Sequence, residues 1–451
     1  EEPRRQAAPA PRPSPRPQAQ QVFRSAEEVN IPLVQRLHTF LCILFPVQCL
    51  LLCYLIPKRP TKWQYITEYL TVVVPLIFIL TTFAGYVYQI NFVLSFTIIV
   101  LAIKHCKKIN CRSVLYEQNV HRTSKIVSIS LFRGLTYLLT VFCILAVDFR
   151  IFPRFLAKTE FYGFSLMDAG VGMFVLISGL VHKDVNSNFS SLIRNNAKLI
   201  GILLILGVSR FVAVKQLNYQ EHVSEYGVHW NFFYTLAVTK TLSAILLHFI
   251  SKKHILKVSI LIACIHEYAL GYVLQSWVLG DVPRKTFLDA NREGISASLG
   301  YVSLYLFGVY LKSKLQDQKV LKFDVIIRLF SMSVAIWFIT YMLNIYKPIS
   351  RSLCNITYCF YVEAVIITII LILYSFEIVF QDKQLSIPIT IEVINNNGLL
   401  YFLFGNILTG LINLTVRTLF IKSYLSLLIF NVYMIVTIYF ASFLHRRGIK
   451  I

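Results

Sequence analysis

Two ionisable side chains ten residues apart, Asp148 and Lys158, lie in the stretch VDFRIFPRFLAKTEFYGFSLMDAGVG, residues 147–172. A straight helix would hold them about 15 Å apart and on different faces. Pro153, midway between them, and the amphipathic RIFPRFLAK must fold the chain back if the two are to meet. A carboxylate beside an ammonium stays ionised in a low-dielectric pocket. It can then take a proton from an alcohol while the cation stabilises a developing oxyanion. The competing reading is an interfacial loop whose charges snorkel to the headgroups.

More polar groups fall where lipid would exclude them. An ionisable side chain at membrane depth costs roughly 2.5–3.5 kcal/mol even on lenient scales, so it faces protein or water. Arg150 and Arg154 share the first stretch, Asp168 lies in the apolar run that follows, and Arg210 in the next. His229 and Asn231 open a further run in EYGVHWNFFYTLA, with Lys240 deeper and His266 and Glu267 in the run beyond. Arg292 and Glu293 occupy the first turn of a span in DANREGISASLGYVSLYLFG, where free backbone N–H groups favour anions. Asn395, Asn396, Asn406 and Asn413, with Gly405 and Gly410, interrupt the apolar EVINNNGLLYFLFGNILTGLINLTVRTLF. For His229 the competing reading is an aromatic-belt position, and for the amides and His266 it is helix–helix hydrogen bonding. Read together, they line a cavity. Its expected substrate-binding residues are Arg154, Asp168, Arg210, His229, Asn231, Arg292, Glu293, Asn395 and Asn406, the arginines suiting a lipid phosphate or the pyrophosphate of a nucleotide carrier.

The elements that position these groups follow from composition. Of 451 residues, 56% are hydrophobic and 15% charged, with mean hydropathy +0.63. Soluble domains stand near half apolar and a quarter charged. Runs of about twenty apolar residues recur, each long enough to span the hydrocarbon core. This excludes a soluble multidomain enzyme. The alternating pattern of a membrane β-barrel is missing. The expectation is an all-α polytopic membrane protein of about thirteen spans, at 37–56, 66–87, 89–104, 127–147, 161–181, 198–214, 230–250, 255–274, 294–311, 323–344, 358–379, 397–419 and 424–444. Gln89 stands at the expected hinge between the second and third, and Pro46 and Pro75 predict kinks. Residues 1–36 read as a flexible tail, rich in Pro, Ala, Arg and Gln near its start, and 37–451 as one membrane domain.

The net charge of +22 comes from Lys and Arg scattered through short loops, which fits topology rather than nucleic acid. Placing the basic loop His105–Lys125 in the cytosol puts the N-terminus across the membrane and the C-terminus, with Arg446, Arg447 and Lys450, in the cytosol. Asp148 and its companions then gather toward the non-cytosolic half. Nine cysteines, mostly in apolar runs, present no disulfide framework, and Cys106 and Cys111 lack the spacing of a zinc site. No metal and no cofactor are expected. Of three Asn-x-Ser/Thr triplets, Asn188 and Asn413 fall on the wrong side or inside a span, and Asn355 falls on the non-cytosolic side but close to the membrane. Gly-rich phosphate loops, GxSxG elbows and HExxH are absent from the sequence.

Four stretches in order resemble the GPI-anchor inositol acyltransferases of the endoplasmic reticulum. They are the Asp148–Lys158 segment with FYGFSLMDAGVG, YGVHWNFFYTLA, ANREGI followed by LGY, and NILTGLIN. The likeness runs from about residue 60 to the end; the N-terminal tail departs from it. It implies a thirteen-span enzyme that moves a fatty acyl chain, usually palmitoyl, from acyl-CoA as co-substrate. The implied acceptor is the 2-hydroxyl of the inositol ring of glucosaminyl-phosphatidylinositol. By likeness, Asp148 and Lys158 match the family's catalytic Asp and Lys.

The chemistry suits the residues without the resemblance: acyl transfer from a thioester needs an oriented alcohol, a base and an oxyanion stabiliser. The amide-rich span 397–419 is the expected wall of a cavity admitting acyl-CoA from the cytosol. Rival readings are another membrane acyltransferase with a different sugar acceptor, a lipid transporter, and a scaffold. A transporter would need a two-sided pathway, and the sequence shows no obvious internal repeat.

Overall fold

In hydrocarbon a backbone must satisfy its own hydrogen bonds, and every regular element among the described residues is helical. The computed structural model describes residues 33–56, 60–108, 115–117, 126–183, 189–216, 223–281, 283–380 and 387–449. The expected tail through residue 32, the loop residues Lys58, Arg59, Cys111, Arg112, Arg122 and Lys125, Asn188 and Lys450 lie outside them. The helices are α1 (Leu33–Leu55), α2 (61–79), α3 (Val87–Lys108), α4 (Val127–Ala146), α5 (Leu166–Leu180), α6 (Phe189–Gln216) and α7 (Phe232–Phe249). They continue as α8 (255–279), α9 (Arg292–Leu315), α10 (Lys322–Tyr346), α11 (Ile356–Val379), α12 (Ile389–Asn396), α13 (Gly398–Thr415) and α14 (Ser423–Arg446).

Eleven of the described helices are long and apolar enough to cross a membrane, against the thirteen spans expected. The two that fall short are Trp63–Ile79 and Leu166–Leu180. The first ends early because the chain turns through residues 80–86, so the hinge precedes Gln89. The second starts late because residues up to Ser165 are non-helical and Ser165 caps the helix. Ahead of Pro75, which lacks an N–H, Tyr69–Val73 widens into a π-helical turn.

The centre of the bundle is α9, α4 and α11, buried over 83%, 78% and 72% of their apolar windows, whereas α3 is buried over 11%. Small residues set the closest approach. A Cβ on Gly179 of α5 would stand 2.1 Å from the Tyr305 carbonyl of α9, and one on Gly308 2.3 Å from the Leu176 carbonyl. No larger residue allows the two backbones this contact.

Acidic side chains of neighbouring helices cap several helix N-termini. Glu68 accepts the Ile389 and Thr390 N–H groups of α12 at 3.0 and 2.7 Å. Glu377 accepts the Ser128 hydroxyl at 2.6 Å, and Glu267 accepts the Ile356 N–H at 2.8 Å. Each carboxylate meets the positive end of a helix dipole, and each contact fixes the height of one helix against another.

Candidate active site

Beyond Ala146 the chain leaves α4 in tight turns, with Phe149 and Phe152 buried beneath it, and passes Pro153 into a short 3-10 turn, Arg154–Leu156. The fold-back expected around Pro153 is present, but it does not join Asp148 to Lys158. Asp148 Oδ2 accepts a hydrogen bond from Asn413 Nδ2, in the last turn of α13, at 2.7 Å. Burial pushes the Asp148 carboxyl above its ordinary range, while the Asn413 hydrogen bond and the Arg154 charge pull it back. Arg154 itself donates to the Val147 carbonyl at 2.8 Å.

Lys158 instead spans both carboxylate oxygens of Glu225, at 2.9 and 2.7 Å, in the turn before α7. Burial raises the Glu225 pKa, but Lys158, Arg351 and Arg210 outweigh it and leave the carboxyl below its ordinary range. Arg210, exposed near the end of α6, thus adds its positive charge to this cluster. The pair separates because the extended backbone at Ala157 carries Lys158 toward the loop before α7.

Asp168 is fully buried, and its carboxylate is saturated. Arg351 Nε donates to Oδ1 at 2.9 Å; the Thr159 and Ser165 hydroxyls donate to Oδ2 at 2.9 and 2.8 Å; the Thr159 and Ser165 N–H groups add bonds of 3.1 Å. With Ser165 it forms a reciprocal capping box at the start of α5. Asp168 therefore ties the Lys158 loop, α5 and the turn before α11 together rather than presenting acceptors to a ligand. Burial of Arg351 alone would lower its pKa; Asp168, Tyr226 and Glu225 reverse this and raise it.

The loop before α7 is seated on the start of α9. Gly227 adopts φ +106°, where a Cβ would stand 2.6 Å from the Ala290 carbonyl, so the close approach requires glycine. Asn291 Oδ1 accepts the His229 and Trp230 N–H groups at 2.8 and 2.9 Å. Asn231, expected to bind substrate, caps α7 and donates to the Gly207 carbonyl of α6 at 2.9 Å; its amide is engaged in the fold. His229 remains exposed, its ring between Phe211 and Phe287. Glu293 is taken by a two-pronged pair with Arg284, and Arg292 donates to the Gly280 carbonyl at 2.6 Å. These two expected binding residues hold the loop between α8 and α9.

The remaining expectations separate similarly. Asn406 bonds back to the Phe402 carbonyl of its own helix at 2.8 Å, while Asn395 Oδ1 is buried without a hydrogen-bond partner among the described residues. His266 meets the Leu353 carbonyl at 2.9 Å, a packing contact. Asn355 caps α11 and is buried, so this triplet serves the backbone. A cleft of about 450 Å³ lies elsewhere, lined by Cys264, Glu267, Tyr268, Gly271, Tyr272, Lys347 and Ile356. Sequence reasoning missed Glu225 and Arg351. Glu225 lay in a stretch already singled out, but Arg351 carried no motif; only its place between two serines in PISRSLCN marks a charge that a fold would have to bury.

Asp148 and Asp168 thus differ in kind. Asp168 has every acceptor filled, whereas Asp148 has one amide bond and, among the described residues, no ion pair. Environment ties the Asp168 carboxylate into the fold and leaves Asp148 with an oxygen unfilled among the described residues, the condition a proton acceptor needs.

A model of the GWT1 family matches residues 26–444. An uncharacterized protein of Arabidopsis thaliana is 34% identical over 397 residues, covering 86% of this chain and 89% of its own. GPI-anchored wall transfer protein 1 of Schizosaccharomyces pombe is 34% identical over 345 residues, 72% of this chain and 74% of that protein. Glucosaminyl-phosphatidylinositol-acyltransferase PIGW of Bos taurus is 30% identical over 436 residues, 83% and 86% respectively.

Proposed function

The chain belongs to the GWT1 family, and on that basis we propose that it is a membrane acyltransferase of GPI-anchor biosynthesis in the endoplasmic reticulum. The reaction moves a palmitoyl chain from acyl-CoA to the inositol 2-hydroxyl of glucosaminyl-phosphatidylinositol. The observation that carries this reading is the partly buried, open carboxylate of Asp148 at the same end of the bundle as the Lys158 cluster.

Asp148 removes the proton of the inositol hydroxyl as its oxygen attacks the thioester carbon. The new C–O bond forms, the C–S bond breaks, and the CoA thiolate takes the proton from Asp148. Lys158 faces the oxygen that becomes negative in the tetrahedral state. Arg154 and Arg210 hold the lipid phosphate. With the N-terminus lumenal, this end faces the lumen and the acyl tail lies among the spans.

The test is purified protein in detergent with labelled palmitoyl-CoA and glucosaminyl-phosphatidylinositol, beside Asp148→Asn. Acylated glycolipid from the wild type and none from the folded variant supports the reading. Full turnover by Asp148→Asn would falsify the assignment of the base. Binding of palmitoyl-CoA without product would redirect the search to other sugar acceptors.

A further inference from the structure

We propose that Asn413 positions the base: its amide holds Asp148 in one orientation, and its carbonyl receives the acceptor hydroxyl next to the one that reacts. This rests on the reading of Asp148 as the base.

Asn413 reaches Asp148 across 265 residues of sequence, from the last turn of α13 to the turn that ends α4. Its Nδ2 donates to Oδ2 at 2.7 Å, a short bond for an amide on a carboxylate. Its Oδ1 is buried and has no hydrogen-bond partner among the described residues. A buried carbonyl left unpaired is unfavourable, and native structures normally fill it with protein, water or ligand. Gln48, an amide that joins α1 to α3, also leaves its buried Oε1 unpaired among the described residues; what sets Asn413 apart is that its empty acceptor belongs to the amide that holds a carboxylate with an oxygen to spare. Asn406, two turns earlier on α13, shows the contrast: it donates back to its own helix at the Phe402 carbonyl.

With Oδ2 occupied by Asn413, Asp148 Oδ1 is the acceptor left for a proton. The carbonyl of Asn413 supplies a second acceptor on the same small group of atoms. Two neighbouring acceptors suit a ring carrying adjacent hydroxyls: one gives up its proton to the carboxylate, and the next donates to the amide. A simple alcohol would use only the first. The Asn413 hydrogen bond also favours the ionised form of Asp148 against burial, so losing it moves the base toward protonation.

The experiment is the pH profile of kcat/KM for Asn413→Leu and Asn413→Asp, with palmitoyl-CoA and glucosaminyl-phosphatidylinositol, beside thermal melting of each variant. Asn413→Leu should lose about ten- to a hundredfold in kcat/KM, the loss expected for a hydrogen bond to a charged group. Its acidic limb should move to higher pH while its melting temperature holds. Asn413→Asp, with two carboxylates sharing the site, should move the limb further. An inositol lacking the neighbouring hydroxyl should slow the wild type but add little to the loss in Asn413→Leu.

Wild-type limbs in both variants, with Asp148→Asn still inactive, would overturn the inference and leave the base in place. A lost rate that follows a lowered melting temperature, with the limb unmoved, would also overturn it and make Asn413 a structural contact. An active Asp148→Asn would remove the reading beneath it.

Discussion

The ammonium of Lys158 bridges the two carboxylate oxygens of Glu225, and Glu225 is in turn drawn down by Arg351 and Arg210. The cation is thus fixed from outside its own loop. Lys158, Arg351 and Arg210 act on Glu225, and with Asp168 paired to Arg351 the cluster keeps one positive charge in excess, a field that suits an anionic lipid or a forming oxyanion.

Exchanging Lys158 and Glu225 separates support from chemistry. Lys158→Ala should cut turnover about a hundredfold or more, the scale of a lost oxyanion donor. The double exchange Lys158→Glu with Glu225→Lys should recover melting temperature but not turnover. Recovery of turnover would make the pair purely structural.

The Glu225 carboxyl titrates below its ordinary value, so it adds stability above the ordinary carboxylate range and loses it as pH falls through its own lower pKa. The melting-temperature gap between wild type and Glu225→Gln should therefore be full at neutral pH and close in acid. A constant gap would show that packing, not charge, is at stake.

For Asp148 the sign is opposite. Burial holds its proton more tightly than usual, and a base must be ionised to act. The acidic limb of the wild-type kcat/KM profile should lie above the ordinary aspartate value of about 3.9. A limb at or below that value would assign it to another group.

Breaking the buried Arg351–Asp168 pair should cost about 3–5 kcal/mol, because either partner alone leaves a stranded charge. Arg351→Ala and Asp168→Asn should each melt far below wild type, and the double variant should lose less than the sum. Additive losses would deny the coupling.

Gly294→Ala would place a Cβ 2.2 Å from the Trp230 ring, against the loop that bears Glu225. We expect a melting loss of about 1–3 kcal/mol, typical of overpacking. Turnover should fall with it, read in the same acyl-transfer assay. Unchanged turnover would detach this loop from the site.

The sequence was legible where physics acts locally. Apolar runs of spanning length marked α1, α3, α4 and α7–α11 to within about a turn, because the bilayer enforces length and period, whereas α6 begins nine residues ahead of its expected span, in the polar FSSLIRNNAK. It misled where a local device overrode hydropathy: the Ser165–Asp168 capping box shortened α5, and the turn at 80–86 shortened α2. Asp148 stood out as an acid at a helix end, yet its partner Asn413 looked like packing glue. Lys158 looked like a partner for Asp148 because they are close in sequence, but its partner is 67 residues away. Asn231, Arg292 and Glu293 were noticed for being polar in an apolar setting, and what they do with that polarity is hold backbone and neighbouring charge.

The ties at this end of the bundle also set a timetable. Asp168 waits 183 residues for Arg351, and Asp148 waits 265 for Asn413, on the helix before the last. While the chain is being made, Asp168 has its local bonds from Thr159 and Ser165 but not its counter-charge, and Asp148 lacks its amide. The site is therefore complete only when nearly the whole polypeptide has entered the bilayer. A product ending before α13 would carry Asp148 and the Lys158 loop yet lack the Asn413 amide, so under the proposed reading unfinished chains would leave the lipid pool untouched.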